Sequence, residues 1–125
     1  MKSNLLTHVG LAFLRIVPSV MMLSHGYPKF QKLISGNMEF ANPIGIGEGP
    51  SLFLAVIGEV VAPLMLIAGY KTKWAAVPAL MTMLVAAVVV HGADPFNVQE
   101  KAWLYATCFA TILLLGPGKF SIDKK

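Results

Sequence analysis

Six ionisable side chains within or beside long apolar segments are the candidates for chemistry in this sequence. They are Arg15, His25, Lys29, Glu59, His91 and Glu100. An ionisable group at membrane depth is costly unless a specific partner satisfies it, so each such residue predicts either a functional site or a defined pair. Carboxylate, imidazole and ammonium groups suit proton transfer and the binding of a polar head group.

Arg15 and Glu59 lie well inside the first two apolar segments. A helical rise of about 1.5 Å per residue places both roughly 14–18 Å below the outer surface, so we predict that they pair near the midplane. The pair is either a structural link between two helices or a proton-active or substrate-orienting carboxylate controlled by the arginine. In the second case they are the catalytic residues. Pro18 and Pro63 each remove a backbone donor nearby, which favours a kinked, polar pocket.

The other four residues are predicted to meet at the outer membrane face. His25 and Lys29 end the first apolar segment, His91 ends the third, and Glu100 opens the fourth. Such groups are typical of metal binding, proton relay or the binding of a quinone head group. No closely spaced ligand motif such as HExxH occurs, so we assign no metal ligand. We predict a cofactor-binding site instead.

Composition shows that membrane helices must position these residues. Of the 125 residues 56% are hydrophobic and 13% charged, and the mean hydropathy is +0.68, which excludes an ordinary soluble domain. The length allows a single domain over residues 1–125. Four apolar segments near the ~20 residues that cross a bilayer lie at about Leu5–Tyr27, Pro50–Tyr70, Lys73–Gly92 and Ala102–Pro117. We expect an all-α fold, a four-transmembrane-helix antiparallel bundle.

The lysines predict the orientation of the bundle. Six lie on the side of the termini and the second-to-third turn, namely Lys2, Lys71, Lys73, Lys119, Lys124 and Lys125, and three lie on the other side, namely Lys29, Lys32 and Lys101. Because cytoplasmic segments carry the excess of positive charge, both termini are predicted to be cytoplasmic. Residues 31–49 are predicted to form an extramembrane loop. The basic charge needs no nucleic-acid partner.

These residues, in this order, resemble the DoxX family. The features are an arginine within the first segment, His25-Gly26 followed by Lys29, Glu59 within the second, a histidine closing the third, Glu100 opening the fourth and the final stretch Gly116-Pro117-Gly118-Lys119-Phe120-Ser121-Ile122-Asp123. The resemblance covers nearly the whole chain, and the segment from Pro43 to Pro50 departs from it. It implies a multi-pass protein of the bacterial inner membrane, related to the small membrane subunits of thiosulfate:quinone oxidoreductase and to membrane partners of antioxidant enzymes.

Three functions are open. The chain is a membrane subunit of a quinone-linked oxidoreductase, a non-catalytic anchor or assembly factor for a soluble redox enzyme, or a small proton-coupled carrier in which Glu59 is the coupling carboxylate. With one cysteine, Cys108, and no flavin or haem motif, we expect no intrinsic cofactor and no catalysis by the chain alone; quinone is the cofactor of the first function. Expected partners are membrane lipids, a soluble or membrane redox subunit and, in a homo-oligomer, a second copy of the chain.

Overall fold

The structure, a computed structural model, describes residues 2–124, which form four long helices. These are α1 (Lys2–Ile34), α2 (Glu48–Ala68), α3 (Thr72–Val90) and α4 (Phe96–Leu115). No strand occurs in the described residues, and the prediction of an all-α fold is confirmed. Lys125, which entered the lysine count above, lies outside the described range, as does the side chain of Lys2.

Each helix overlaps one predicted apolar segment, but α1 is longer than predicted. It continues for about two turns past Tyr27, to Ile34. Hydropathy marks where a chain leaves lipid, whereas a helix ends only where its backbone hydrogen bonds end, so the two limits need not coincide. The loop that follows is correspondingly shorter than predicted, from 35 to 47.

Three of the four helices are long and apolar enough to cross a membrane. They are Asn4–Ile34, Glu48–Ala68 and Thr72–Val90. The fourth, α4, falls short of the same measure because polar residues occupy its first two turns, namely Asn97, Gln99, Glu100 and Lys101. Length and composition therefore support three spans directly.

Two helices contain a π-helical turn, which the sequence does not predict. In α2 this turn is Ile57–Val61, and in α3 it is Ala86–Val90. Pro63 follows the first turn and has no N–H to donate to the carbonyl of Glu59. The second turn closes with a hydrogen bond from the His91 N–H to the Ala86 oxygen at 2.9 Å. Such turns redirect the side chains around them and are frequent at functional sites.

Small residues bring the helices into close contact. Ala75, Ala76 and Ala79 of α3 are buried, and a Cβ at Gly58 of α2 would overlap the hydroxyl of Thr82. The largest apolar side chains that are fully buried are Phe109, Met22, Leu52, Leu66 and Ile112. Many other large apolar side chains are exposed, as a lipid-facing surface requires.

Residues 116–124, here called the C-terminal strap, fold back across one end of the helices. The N–H groups of Ile122 and Asp123 donate to the oxygens of Ala68 and Gly69. The Asp123 carboxylate accepts from the backbone N–H groups of Lys71 and Thr72 at 2.9 and 2.8 Å, which caps the start of α3. We call this the strap end. The loop end is the opposite one, formed by the end of α1, the loop 35–47 and the α3–α4 turn.

Candidate functional site

Arg15 lies at the strap end, where backbone oxygens accept its hydrogen bonds. Its Nη1 donates to the oxygens of Leu66 and Ile67 at 2.8 and 2.7 Å. Its Nε donates to the Pro117 oxygen at 3.3 Å, and its Nη2 donates to the Phe120 oxygen. The side chain is 1% exposed. The guanidinium therefore joins α1 to the end of α2 and to the strap.

The end of a helix is a suitable place for a buried cation. Leu66 and Ile67 belong to the last turn of α2, whose carbonyls carry the negative end of the helix dipole and can accept bonds from outside the helix. The chain then turns at Gly69, with φ of 70°, and a Cβ there would lie 3.0 Å from Nη1 of Arg15. The surroundings of the guanidinium are thus closely packed.

The prediction that Arg15 pairs with Glu59 is wrong. Gly26 is the residue of α1 that packs against Glu59, and it lies eleven residues beyond Arg15, or roughly 16 Å along the helix. The depth estimate placed Tyr27 level with the start of α2. Because α1 runs on to Ile34, the end of α1 near Ile34, and not Tyr27, lies level with the start of α2. Arg15 is therefore displaced towards the strap end.

Glu59 is paired with Lys29 instead. The Nζ of Lys29 lies 2.7 Å from Oε1 and 2.6 Å from Oε2, so one ammonium serves both carboxylate oxygens. The Glu59 side chain is 4% exposed and that of Lys29 is 30% exposed. The Lys29 ammonium also lies 5.7 Å from the ring centre of Phe40, in the loop 35–47, within cation–π range. This is an ion pair that reaches from a buried carboxylate towards the loop end.

The backbone holds Glu59 in place from two sides. Glu59 is the central residue of the π-turn Ile57–Val61 in α2. On the other side, Gly26 packs so closely that a Cβ would overlap the Glu59 oxygen and lie 2.7 Å from Cγ2 of Val60. Any larger residue at position 26 would push the two helices apart.

A polar cavity of about 260 Å³ opens beside this pair. Four of the predicted site residues line it, namely His25, Lys29, Glu59 and His91. Lys101 and Tyr105 complete its polar wall, and the apolar part is formed by Met22, Met83, Ala86, Val98 and Ala102. All four helices therefore contribute to one cavity. His25, Lys29 and His91, which were predicted to lie close together, all line it.

Neighbouring groups orient both imidazole rings. The His25 ring packs edge-on against Tyr105, with ring centres 5.8 Å apart. His91 Nδ1 lies 2.9 Å from Oδ2 of Asp94, and Gln99 Nε2 donates to the backbone oxygens of His91 and Asp94 at 2.8 and 3.0 Å. The α3–α4 turn is therefore tied to α4, and Nε2 is the His91 nitrogen not engaged by Asp94.

A second, apolar cavity of about 490 Å³ adjoins the first. Lys29, Glu59, Ala86 and His91 line both. The apolar cavity lies between α2, α3 and the loop, and its other lining residues include Phe40, Pro43, Ile44, Leu54, Ile57, Pro78, Met81 and Val85. Its wall also contains the buried hydroxyl of Ser51, which has no hydrogen-bond partner in the described part of the chain. An unpartnered buried hydroxyl is unfavourable and marks a position where a ligand can supply the missing bond.

Two predicted site residues lie outside these cavities. Glu100 is exposed and lines neither, and Arg15 is bound at the strap end. Conversely, Lys101 and Tyr105 line the polar cavity without having been predicted; their spacing of four on α4 was the available signal, because it puts both on one helical face. Within residues 4–124, no group of three His, Cys, Asp or Glu side chains converges as a metal ion needs.

Comparison with known proteins establishes the family. The family model described as DoxX matches residues 10–92, which is more than half of the chain and includes Arg15, His25, Lys29, Glu59 and His91. The chain belongs to the DoxX family. This DoxX protein is also 32% identical, over 126 residues, to an uncharacterised protein of Haemophilus influenzae, in a match that spans 92% of this chain and 89% of the relative. No solved structure matches it. With its apolar helices, it is a membrane protein of DoxX type.

Proposed function

We propose that this DoxX protein is a membrane subunit of a quinone-linked oxidoreductase system and binds the quinone at the junction of its two cavities. The observation that carries the proposal is the shared wall. Lys29, Glu59, Ala86 and His91 line both a polar and an apolar cavity, so a molecule with a polar head and an apolar tail fits across the junction.

The available side chains suit a quinone head group. A quinone ring presents two carbonyl oxygens, which accept hydrogen bonds, and Lys29 and His91 are potential donors at the junction. The unpartnered hydroxyl of Ser51 offers a further donor in the apolar cavity, which would take the isoprenoid tail. When bound, a quinone supplies the capacity to carry electrons and protons through the membrane phase. The residues of this chain bind it, orient it and place a charged pair beside it.

The electron donor has to come from a partner. The sequence holds one cysteine and no flavin or haem motif, so the chain itself has no ligand set for an iron–sulfur cluster. We therefore propose a soluble or membrane redox subunit as the partner. In this arrangement Glu59 and Lys29 form the charged centre, His25 and His91 line the head-group site, and Arg15 supports the fold from the strap end.

We further infer that all four helices cross the bacterial inner membrane as an antiparallel bundle with cytoplasmic termini. Contacts between helices favour this arrangement. Arg15 and Lys29 of α1 bond to Leu66 and Glu59 of α2, so the chain direction reverses between them. Reporter fusions in the loop 35–47 and after Lys125 test the topology. We expect a periplasmic loop and a cytoplasmic C-terminus. A shared compartment would rule out four spans, and a periplasmic C-terminus would overturn the orientation.

Quinone binding is testable with purified protein in detergent. Titration with decylubiquinone, followed by native mass spectrometry and calorimetry, should show one saturable site. Lys29→Met should weaken it by about tenfold or more because it removes a donor to the quinone, and Glu59→Gln should do so because it removes the carboxylate that holds the Lys29 ammonium. Glu100→Gln and Lys32→Met are matched controls at the same end of the molecule and should leave the Kd within about twofold. Absence of saturable binding, or equal affinities in Glu59→Gln and the unaltered chain, would refute the site.

A proton-coupled carrier is the second candidate, because the Glu59–Lys29 pair stands between two cavities of different character. It predicts a different result. In proteoliposomes, a carrier would move a solute in response to a pH gradient, and Glu59→Gln would abolish that movement. Neither the unaltered chain nor the Glu59→Gln variant would bind quinone.

A further inference from the structure

The strap end presents three lysines that have no carboxylate partner among the described residues. Lys71, Lys73 and Lys119 are exposed, and within the described residues no carboxylate oxygen lies within 4 Å of their ammonium groups. Of the six acidic residues in the chain, Asp123 alone belongs to this end, and both of its oxygens accept backbone N–H groups at the start of α3. The strap end therefore carries a local excess of positive charge.

Exposed aromatic rings accompany these lysines. The Lys71 ammonium lies 5.8 Å from the ring centre of Tyr70, and the Lys119 ammonium lies 5.4 Å from that of Phe120. In the first turn of α3, Trp74 is 79% exposed. Aromatic rings next to cationic groups are typical of the level at which lipid head groups meet acyl chains.

The strap holds the lysines on a fixed base. Lys119 donates its backbone N–H to Nδ1 of His8 at 3.0 Å, which ties the strap to α1. The stem of Lys73 lies along the end of α4, where its Cε would be 3.7 Å from a Cβ at Gly116. Because none of the three ammonium groups takes part in a hydrogen bond within the described residues, they are available to an external anion.

We propose that the strap end is a binding surface for anionic glycerophospholipids. Lys71, Lys73 and Lys119 bind the phosphate groups, while Tyr70, Trp74 and Phe120 lie beside the upper parts of the acyl chains. Each phosphate diester carries one negative charge, which complements one unpaired ammonium group. Each lysine near an anionic lipid surface strengthens binding to that surface roughly fivefold. An acidic protein would neutralise the lysines equally well, but it would also need a surface that covers the exposed Trp74 ring. Lipid needs no such surface, because the acyl chains themselves surround the ring. This inference does not depend on the proposed quinone site.

The test compares two lipids of equal chain length. The purified protein is titrated in detergent with dioleoyl phosphatidylglycerol or dioleoyl phosphatidylcholine, and the melting temperature and the lipids retained in native mass spectra are recorded. The unaltered chain should bind phosphatidylglycerol at least about tenfold more tightly, and added salt should reduce this preference because the ammonium groups are exposed.

Variants locate the surface. The triple variant Lys71→Gln/Lys73→Gln/Lys119→Gln should lose the preference, the corresponding triple change to arginine should keep it, and the loop-end control Lys32→Gln/Lys101→Gln should also keep it. Circular dichroism and the melting temperature without added lipid report whether the triple variant is folded. Equal affinity of the unaltered chain for both lipids would overturn the proposal, and so would a preference that survives in the folded triple glutamine variant. If the triple glutamine variant lost a co-purifying acidic protein but kept its preference for phosphatidylglycerol, the surface would be assigned to that protein instead.

Discussion

The two ends of this DoxX protein each hold one buried charge, but they satisfy it differently. At the strap end, the Arg15 guanidinium donates to four backbone oxygens, and neighbouring backbone fills the space around it. Towards the loop end, the Glu59 carboxylate has Lys29 as its ion-pair partner and borders two cavities.

This difference distinguishes a structural contact from a candidate binding site. A cation surrounded by fixed carbonyl dipoles has no free site for a ligand, so its contribution is to hold helix ends and strap together. A carboxylate paired with a flexible lysine next to open space can exchange that partner for a ligand or a proton. Both residues are buried, and the identity of the hydrogen-bond partner is what distinguishes them.

The largest expected effect is at Arg15. Replacing it in Arg15→Leu removes the donors for four oxygens and the link from α1 to the end of α2 and the strap, so we expect a loss of about 3–5 kcal/mol, the scale for breaking a buried charged network. Reversible unfolding in mixed detergent measures this loss. Proteolysis within residues 116–124 should become faster in the variant, since the strap loses the hydrogen bonds from Arg15 to the oxygens of Pro117 and Phe120.

A double variant examines the comparison directly. Because Arg15 and Glu59 do not touch, the effects of Arg15→Leu and Glu59→Leu should add to within about 0.5 kcal/mol. Recovery of stability in the double variant would instead show that the two charges interact, and the separation of the two ends would then fail.

The next effect concerns the Lys29–Glu59 pair. Lys29→Met leaves a buried carboxylate without its partner, which should cost about 2–3 kcal/mol, less than for a fully buried pair because Lys29 is 30% exposed. Adding Glu59→Gln should restore at least about 1 kcal/mol, since a neutral amide needs no counter-charge. Lys32→Met, one turn further along α1, serves as the control and should change stability little. If the two changes at the pair were additive, the ion pair would be unimportant for the fold.

Much of the fold could be predicted because it depends on local physics. Apolar segments of about 20 residues and the turn residues between them are sufficient to predict helices. The helical spacing of His25 and Lys29 also predicts that they share a face, and both line the polar cavity. The family was equally readable from the order of these residues, since the DoxX match includes most of them.

The partners of the charges could not be predicted in the same way. Pairing between helices depends on how far one slides along the other, and the extension of α1 to Ile34 shifts this register by about two turns. The carbonyls that bind Arg15 carry no mark in the sequence, because every residue has one. Pro63 marks a break in the helix beside Glu59, but the sequence does not specify that the break takes the form of a π-turn.

The smallest predicted effects come from two glycines of α1 that differ in their surroundings. At Gly26, an added methyl group would overlap the carbonyl of Glu59 and press on Val60, so Gly26→Ala should force α1 and α2 apart and cost about 1–3 kcal/mol. At Gly10 nothing lies within 4 Å of the added Cβ, so Gly10→Ala should leave stability unchanged or raise it by up to about 1 kcal/mol, since alanine favours helix. Unfolding in mixed detergent measures both.

Quinone titration adds a second readout, because the shift caused by Gly26→Ala should displace Glu59 from Lys29 and weaken binding, whereas Gly10→Ala should not. Equal behaviour of the two variants would mean that the contact between Gly26 and Glu59 does not position the carboxylate, and the loop-end site would then need another source of its rigidity.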